Sequence, residues 1–223
     1  MSRNFLTPLV LAPGTTSAAP LSLQSGTNLS TATAGAVEYD GKVIYSTPAG
    51  RGVSPSMMFY RLNSSFAGTN ATAVQSLFGV GLSLAASTVY AFEVNVMLRK
   101  SAGTTSHTMG LTMDSSSALN NIHYLGTYAT VTNPTTGGQN ASNGSFYSTS
   151  AGNITITGAM ATASQQTQFI LRGTLSTNAA TTFTPSYFLS AAPGGAYSTF
   201  IGSFCAVWPI GTAGANTSVG PWA

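Results

Sequence analysis

Seven Lys/Arg and four Asp/Glu are all the charged side chains in a chain of 223 residues. This scarcity constrains the fold more than any other feature. A helical bundle needs Glu, Lys and Arg along its wet faces, and an average soluble chain is about a quarter charged. A disordered segment needs charge and few apolar residues, whereas 43% of this chain is hydrophobic. Hydroxyl groups stand in for charge: 29 Ser and 32 Thr. No apolar run reaches the roughly 18 residues of a membrane span. A single Cys excludes an internal disulfide and a Cys-based zinc site, and it fits a reducing compartment.

The periodicity is that of β-structure. In Thr88–Arg99, Tyr90, Phe92, Val94, Val96 and Leu98 share one parity, and Ala91, Glu93, Asn95, Met97 and Arg99 share the other. Period two with one apolar face is a half-buried antiparallel strand. Further strand candidates are residues 57–62, 76–80, 106–113, 121–132, 144–148, 154–159, 167–176, 182–189 and 199–210. Turn signals such as Ala102-Gly103, Asn143-Gly144 and Pro193-Gly194-Gly195 separate them. A helix is expected only briefly, over residues 71–77. The fold class is all-β. The sequence divides into an apolar N-terminal arm over 1–13, a β-hairpin unit with linker over 14–54, and an antiparallel β-sandwich of jelly-roll type over 55–223.

The arm carries Phe5, Leu9, Val10 and Leu11 as candidate attachment residues. A secretory signal has a similar outline, but Pro8 interrupts this one and no clean small-residue cleavage site follows. In the next unit, residues 20–25 alternate apolar and polar and predict a short strand. Asp40-Gly41 between β-rich runs predicts a hairpin with a two-residue type I′ turn. Pro48, Gly50, Gly52 and Pro55 predict a linker. A lone hairpin is marginal in water, so this unit is expected to pack on identical neighbours or on a docking surface. The low charge also leaves strand edges without electrostatic protection. Both observations point to a homo-oligomer.

The stretch Ala19-Pro20-Leu21-Ser22-Leu23-Gln24-Ser25-Gly26-Thr27-Asn28-Leu29, continued by Ala34-Gly35-Ala36-Val37-Glu38-Tyr39-Asp40-Gly41 and closed by Tyr45 and Arg51-Gly52, resembles a repeat unit of bacteriophage fibre and virion structural proteins. Thr88-Val89-Tyr90-Ala91-Phe92-Glu93, Thr105-Ser106-His107-Thr108, Ser190-Ala191-Ala192-Pro193-Gly194-Gly195 and the ending Val219-Gly220-Pro221-Trp222-Ala223 resemble the terminal module of such proteins. The resemblance implies a non-enzymatic virion protein, assembled in the host cytoplasm and trimeric, with the hairpin part wound around the three-fold axis. One hairpin unit in place of an array points to a short fibre or adaptor rather than a long shaft. Its partners would be its own copies and other phage proteins of tail, collar or capsid. A capsid decoration or cement protein and a host-glycan receptor-binding module are the alternatives.

The chemistry-bearing residues are few. Glycoside hydrolysis needs two carboxylates across a bond, and only Glu38, Asp40, Glu93 and Asp114 are present. Glu38 and Asp40 read as turn chemistry on a solvated hairpin face. Glu93 reads as an outward charge or a partner of Arg99 or Arg172. His107 and His123 lack metal-ligand spacing, and Cys205 reads as a buried core thiol. No catalytic residue, metal site or cofactor is assigned. The cations are too scattered for a nucleic-acid surface. Among the aromatics, Tyr147 beside a Gly/Asn-rich loop and Trp222 near the end are the candidates for stacking on a host-surface sugar; Tyr124, Tyr128, Tyr187, Tyr197 and Trp208 read mainly as core.

With so few titrating groups, stability is expected to change little between moderately acid and alkaline buffers. Thermal melting across such a series checks this, and a shift of tens of degrees would contradict it.

Overall fold

The computed structural model describes residues 10–54, 56–114, 118–131, 140–214 and 216–220. The described residues contain strands and turns but no helix. The strands are β1 (Val37–Tyr39), β2 (Ile44–Ser46), β3 (Gly52–Ser54), β4 (Met58–Arg61), β5 (Phe66–Ala67), β6 (Gln75–Ser76), β7 (Leu82–Leu84), β8 (Thr88–Arg99), β9 (Met109–Asp114), β10 (Leu119–Val131), β11 (Asn140–Ser148), β12 (Ile154–Thr155), β13 (Gln166–Thr177), β14 (Thr181–Leu189), β15 (Ser198–Thr199) and β16 (Phe204–Thr212). Every pairing among them is antiparallel.

Two sheets enclose the core. The larger runs β11-β10-β13-β8-β16-β4, with β15 and β5 continuing beyond the far end of β8. The smaller runs β12-β9-β14, and both β6 and β7 lie along the other edge of β14. The path crosses repeatedly between sheets: β7 in the small, β8 in the large, β9 in the small, the β10–β11 hairpin in the large. It then passes through β12, β13, β14 and β16 in the same alternation. Strand β8 occupies the centre, between β13 on one side and β16 on the other. Its expected bounds match those observed, because strict alternation leaves only one register that buries all of Tyr90, Phe92, Val94, Val96 and Leu98. Phe92 reaches across to Phe183 of the small sheet, with ring centroids 5.4 Å apart.

Glycine shapes this core at one point. Gly173 lies on the inward face of β13, opposite Tyr124 of β10 on one side and Phe92 of β8 on the other. A Cβ built there would lie 2.6 Å from the Tyr124 Cβ and would collide with the His123 carbonyl oxygen. Two strand spacings are about 9.6 Å. The missing side chain lets the two rings lean over β13 until their centroids are 6.3 Å apart.

The N-terminal unit differs from expectation in four ways. Residues 20–25 pair with nothing among the described residues. Residues 52–54, read as linker, form β3 and complete a three-stranded sheet β1-β2-β3. The turn is not type I′. Gly41 has φ 91°, but Asp40 does not share the positive φ. The Asp40 carboxylate instead accepts the Lys42 and Val43 N–H groups at 2.8 and 2.7 Å and closes a wider Asx-type loop. Glu38 is not a solvated charge: Arg51 Nε donates to it at 2.9 Å, and it accepts the Leu29 N–H at 2.6 Å. Arg51 Nη2 donates to the Leu29 carbonyl as well, so one ion pair ties the preceding segment to the sheet. Lys42 Nζ donates to the Ser87 carbonyl at 2.7 Å and fastens the unit to the sandwich.

Residues 71–77 are not helical either. Gln75 Oε1 accepts the Thr69 N–H, and its Nε2 donates to the Thr69 and Ala71 carbonyls. The side chain takes the backbone partners that a helical turn would need.

Gly173→Ala is expected to destabilise the protein by about 1–3 kcal/mol through overpacking, read as a lower urea midpoint with an unchanged slope.

Candidate functional site

The small sheet does not cover the large one to its edge. Among the described residues, strand β4 pairs only with β16 and ends that sheet. Met58 and Tyr60 stand opposite Val207 and Cys205 and therefore point toward the core. Tyr60 is nevertheless 44% exposed, because β6 and β7 stop short of it. The result is an uncharged apolar seam between the sheets, about 190 Å³, lined chiefly by Met58, Tyr60, Phe78, Val80, Leu82 and Phe183. Phe78 meets Tyr60 edge-on at 6.0 Å. Val80 stands at the lip, 46% exposed. It follows Gly79, whose φ of 72° against the Phe66 ring suits only glycine. On the outer face of β4, Phe59 is 56% exposed and stacks on Phe204 at 5.4 Å. Deeper in the seam, burial raises the pKa of the Cys205 thiol to about 12 and makes it unreactive.

Of the recognition and attachment residues expected from sequence, Tyr147, Val10 and Leu11 are described, and none lines the seam. Tyr147 is 73% exposed on β11, the opposite edge of the large sheet, facing Leu125 across the ladder. Trp222 lies outside the described residues, as do Phe5 and Leu9. Val10 and Leu11 are exposed. Tyr124, Tyr187 and Tyr197 are buried, while Tyr128 and Trp208 are half-buried. Glu93 pairs with Arg172 at 3.1 Å across the outer face of the large sheet. His123 is exposed on β10. The side chain of Asp114 lies outside the description. Among the described residues, no three of His, Cys, Asp and Glu come together.

A second cluster is buried at one end of the sandwich. His107 Nδ1 lies 2.8 Å from the Thr105 carbonyl, and its Nε2 lies 2.9 Å from Tyr197 Oη. A carbonyl can only accept, so the proton sits on Nδ1, and neutral Nε2 accepts the Tyr197 hydroxyl. Lys100, 2% exposed, donates to the Gly103 carbonyl at 2.6 Å, with Nζ 5.9 Å from the centroid of the Tyr197 ring. Neither ion pair among the described residues involves it. Burial lowers the pKa values of both Lys100 and His107, and the nearby ammonium lowers His107 further against the raising effect of Thr105. The cluster holds the loop after β8 in place.

Sequence reading missed both features. A signal for the seam existed in Met57, Met58, Phe59 and Tyr60, which are apolar at both parities. A one-sided strand needs only alternate apolar positions. For Lys100, the alternation of β8 continued by one residue points inward.

No protein-family model matches the chain, and neither a curated protein nor a solved structure matches it.

A histidine held neutral by burial binds fewer protons folded than unfolded once the pH falls below 6.5. Stability is therefore present above that value and declines as acid is added. The melting temperature is expected to fall by a few degrees from pH 7 to pH 5. His107→Gln, measured at both values, is expected to lose most of that decline. An equal fall in both proteins would overturn the assignment to His107, because Glu38 and Asp40, whose pKa values are lowered from 4.5 and 3.8, cost stability only in more acid solution.

Proposed function

We propose that the chain is a non-enzymatic structural protein of a bacteriophage virion: a homotrimeric short fibre or adaptor that its N-terminal arm holds on the particle. The observation that carries this reading is the state of the N-terminal segment in a single copy. Val10, Leu11, Leu21, Leu23 and Leu29 are all exposed, although the segment is tied to the sheet through Leu29 by the Glu38–Arg51 pair and through the Gly26 and Gly35 N–H groups, which donate to the Tyr39 and Thr47 carbonyls. A chain that displays this much apolar surface is built to cover it in an assembly.

The strand order supports a jelly-roll reading of the sandwich. With β4, β7, β8, β9, β12, β13, β14 and β16 taken as its eight strands, the sheets run β4-β16-β8-β13 and β7-β14-β9-β12. The β10–β11 hairpin is then an insertion that widens one sheet. Such a sandwich closes no edge by itself, which suits a subunit finished by its neighbours. The uses of Glu38, Asp40 and Glu93 in structural bonds support the non-enzymatic reading.

A second reading, a module that binds a host-surface glycan, is favoured by Tyr147 alone, an aromatic ring standing free on an outer strand.

A density map of assembled particles tests the first reading. Groups of three copies at the tail or collar are expected. Copies following the capsid lattice would make the chain a decoration protein, and absence from the particle would overturn the reading. Tyr147→Ala with unchanged host adsorption would remove the glycan site.

A further inference from the structure

Two surfaces of this chain lack partners in one copy and match each other. One is the outer edge of β4. Among the described residues it is bonded on a single side, so alternate N–H and C=O groups of the strand face away from the sheet. Edges are usually guarded by Lys, Pro or a covering loop. Here Arg61, the last residue of β4, is the strand's only charge, and the adjoining seam has none. The other surface is the stretch over residues 20–25, with Leu21 and Leu23 on one parity and Ser22 and Gln24 on the other. Leu21 is 64% exposed, and among the described residues no hydrogen bond is made to or from residues 20–25. No charged residue occurs between Arg3 and Glu38. The sequence pattern is that of a strand, and the structure leaves it without a sheet.

We propose that residues 20–25 of one copy add as a strand to the free edge of β4 in a second copy, with Leu21 and Leu23 entering the apolar seam between Tyr60 and Val80. Backbone bonds supply the attachment and the alternate leucines supply the register, as in other strand additions. Six extended residues span about 20 Å, enough to run the length of β4. Both surfaces are neutral, so no charge is buried without a partner. The contact joins two different surfaces, head to tail, and such contacts close into a ring when the rotation between neighbours closes and otherwise run on as a filament. A three-fold ring requires this type of contact, whereas β4 pairing with β4 would stop at a dimer. The proposal rests on the homotrimer reading above and names the surfaces that make it.

The test uses full-length chains. Leu23→Cys and Val80→Cys are placed in separate chains carrying tags of different size, and the two are mixed, unfolded, refolded together and oxidised. Buried Cys205 does not compete. Light scattering of the unmodified protein is expected to give three times the 22.7 kDa of one chain. The mixture is expected to give a disulfide-linked band joining the two tags, and Val80→Asp is expected to reduce the particle to one chain while leaving its melting temperature within a few degrees of wild type. A trimer that forms no mixed band, or that survives Val80→Asp, overturns the proposal and leaves the homotrimer reading standing. A compact monomer overturns both. In a further chain carrying both substitutions, a link that forms only within one chain would mean that the segment folds back on its own seam, and would also overturn the proposal.

Discussion

Strand β8 is the constraint on which the sandwich depends. Its inward residues are all buried in the core, and its two edges set the register of β13 and β16. Slipping either neighbour by one residue would turn its apolar set outward. Eleven charged side chains cannot specify pairing electrostatically, and only two ion pairs occur among the described residues. Specificity therefore comes from alternation, from backbone ladders and from a few glycines at fixed places. Gly173 is the clearest of these, because the rings of Tyr124 and Phe92 meet over the space it leaves.

That mode of specification explains what was legible in the sequence. Long strands with clean alternation could be read to within a residue or two: β8, β10, β13 and β14. Period two over nine or more residues has few competing explanations. Short elements were read poorly. Strands β3, β5, β6 and β15, of two or three residues, exist because a neighbour offers a ladder edge, and no local pattern encodes a neighbour. The Asp40-Gly41 pair marked the right place and the wrong turn, because a carboxylate that captures two N–H groups competes with the two-residue geometry. At residues 71–77, a single Gln side chain decided against a helix.

The candidate site was harder to read than the fold. Exposure of Tyr147 follows from its alternation on β11, where Phe146 turns inward against Tyr124. The seam depends instead on where the small sheet ends, which is a matter of tertiary arrangement. A Tyr that points inward yet remains nearly half exposed cannot be recognised from its neighbours in sequence. Lys100 is a further case: β8 carries this cation one residue past its end and into a shell of carbonyl oxygens and an aromatic ring, and beyond its parity with the inward residues of β8 nothing in the local sequence marks it as buried.

The position of β4 has a consequence for how the molecule responds to being pulled. If the arm is fixed to a large object and the sandwich to another, tension passes through β1–β3 and enters the sandwich at the first residue of β4. That strand is four residues long and is held along one side only. Traction across the sheet would peel its ladder bond by bond, whereas β8, clamped on both sides, would share the same force over many bonds at once. In a single copy, where no neighbour covers β4, the amino-terminal border of the sandwich is thus its mechanical weak link, a tear strip that yields before the core does.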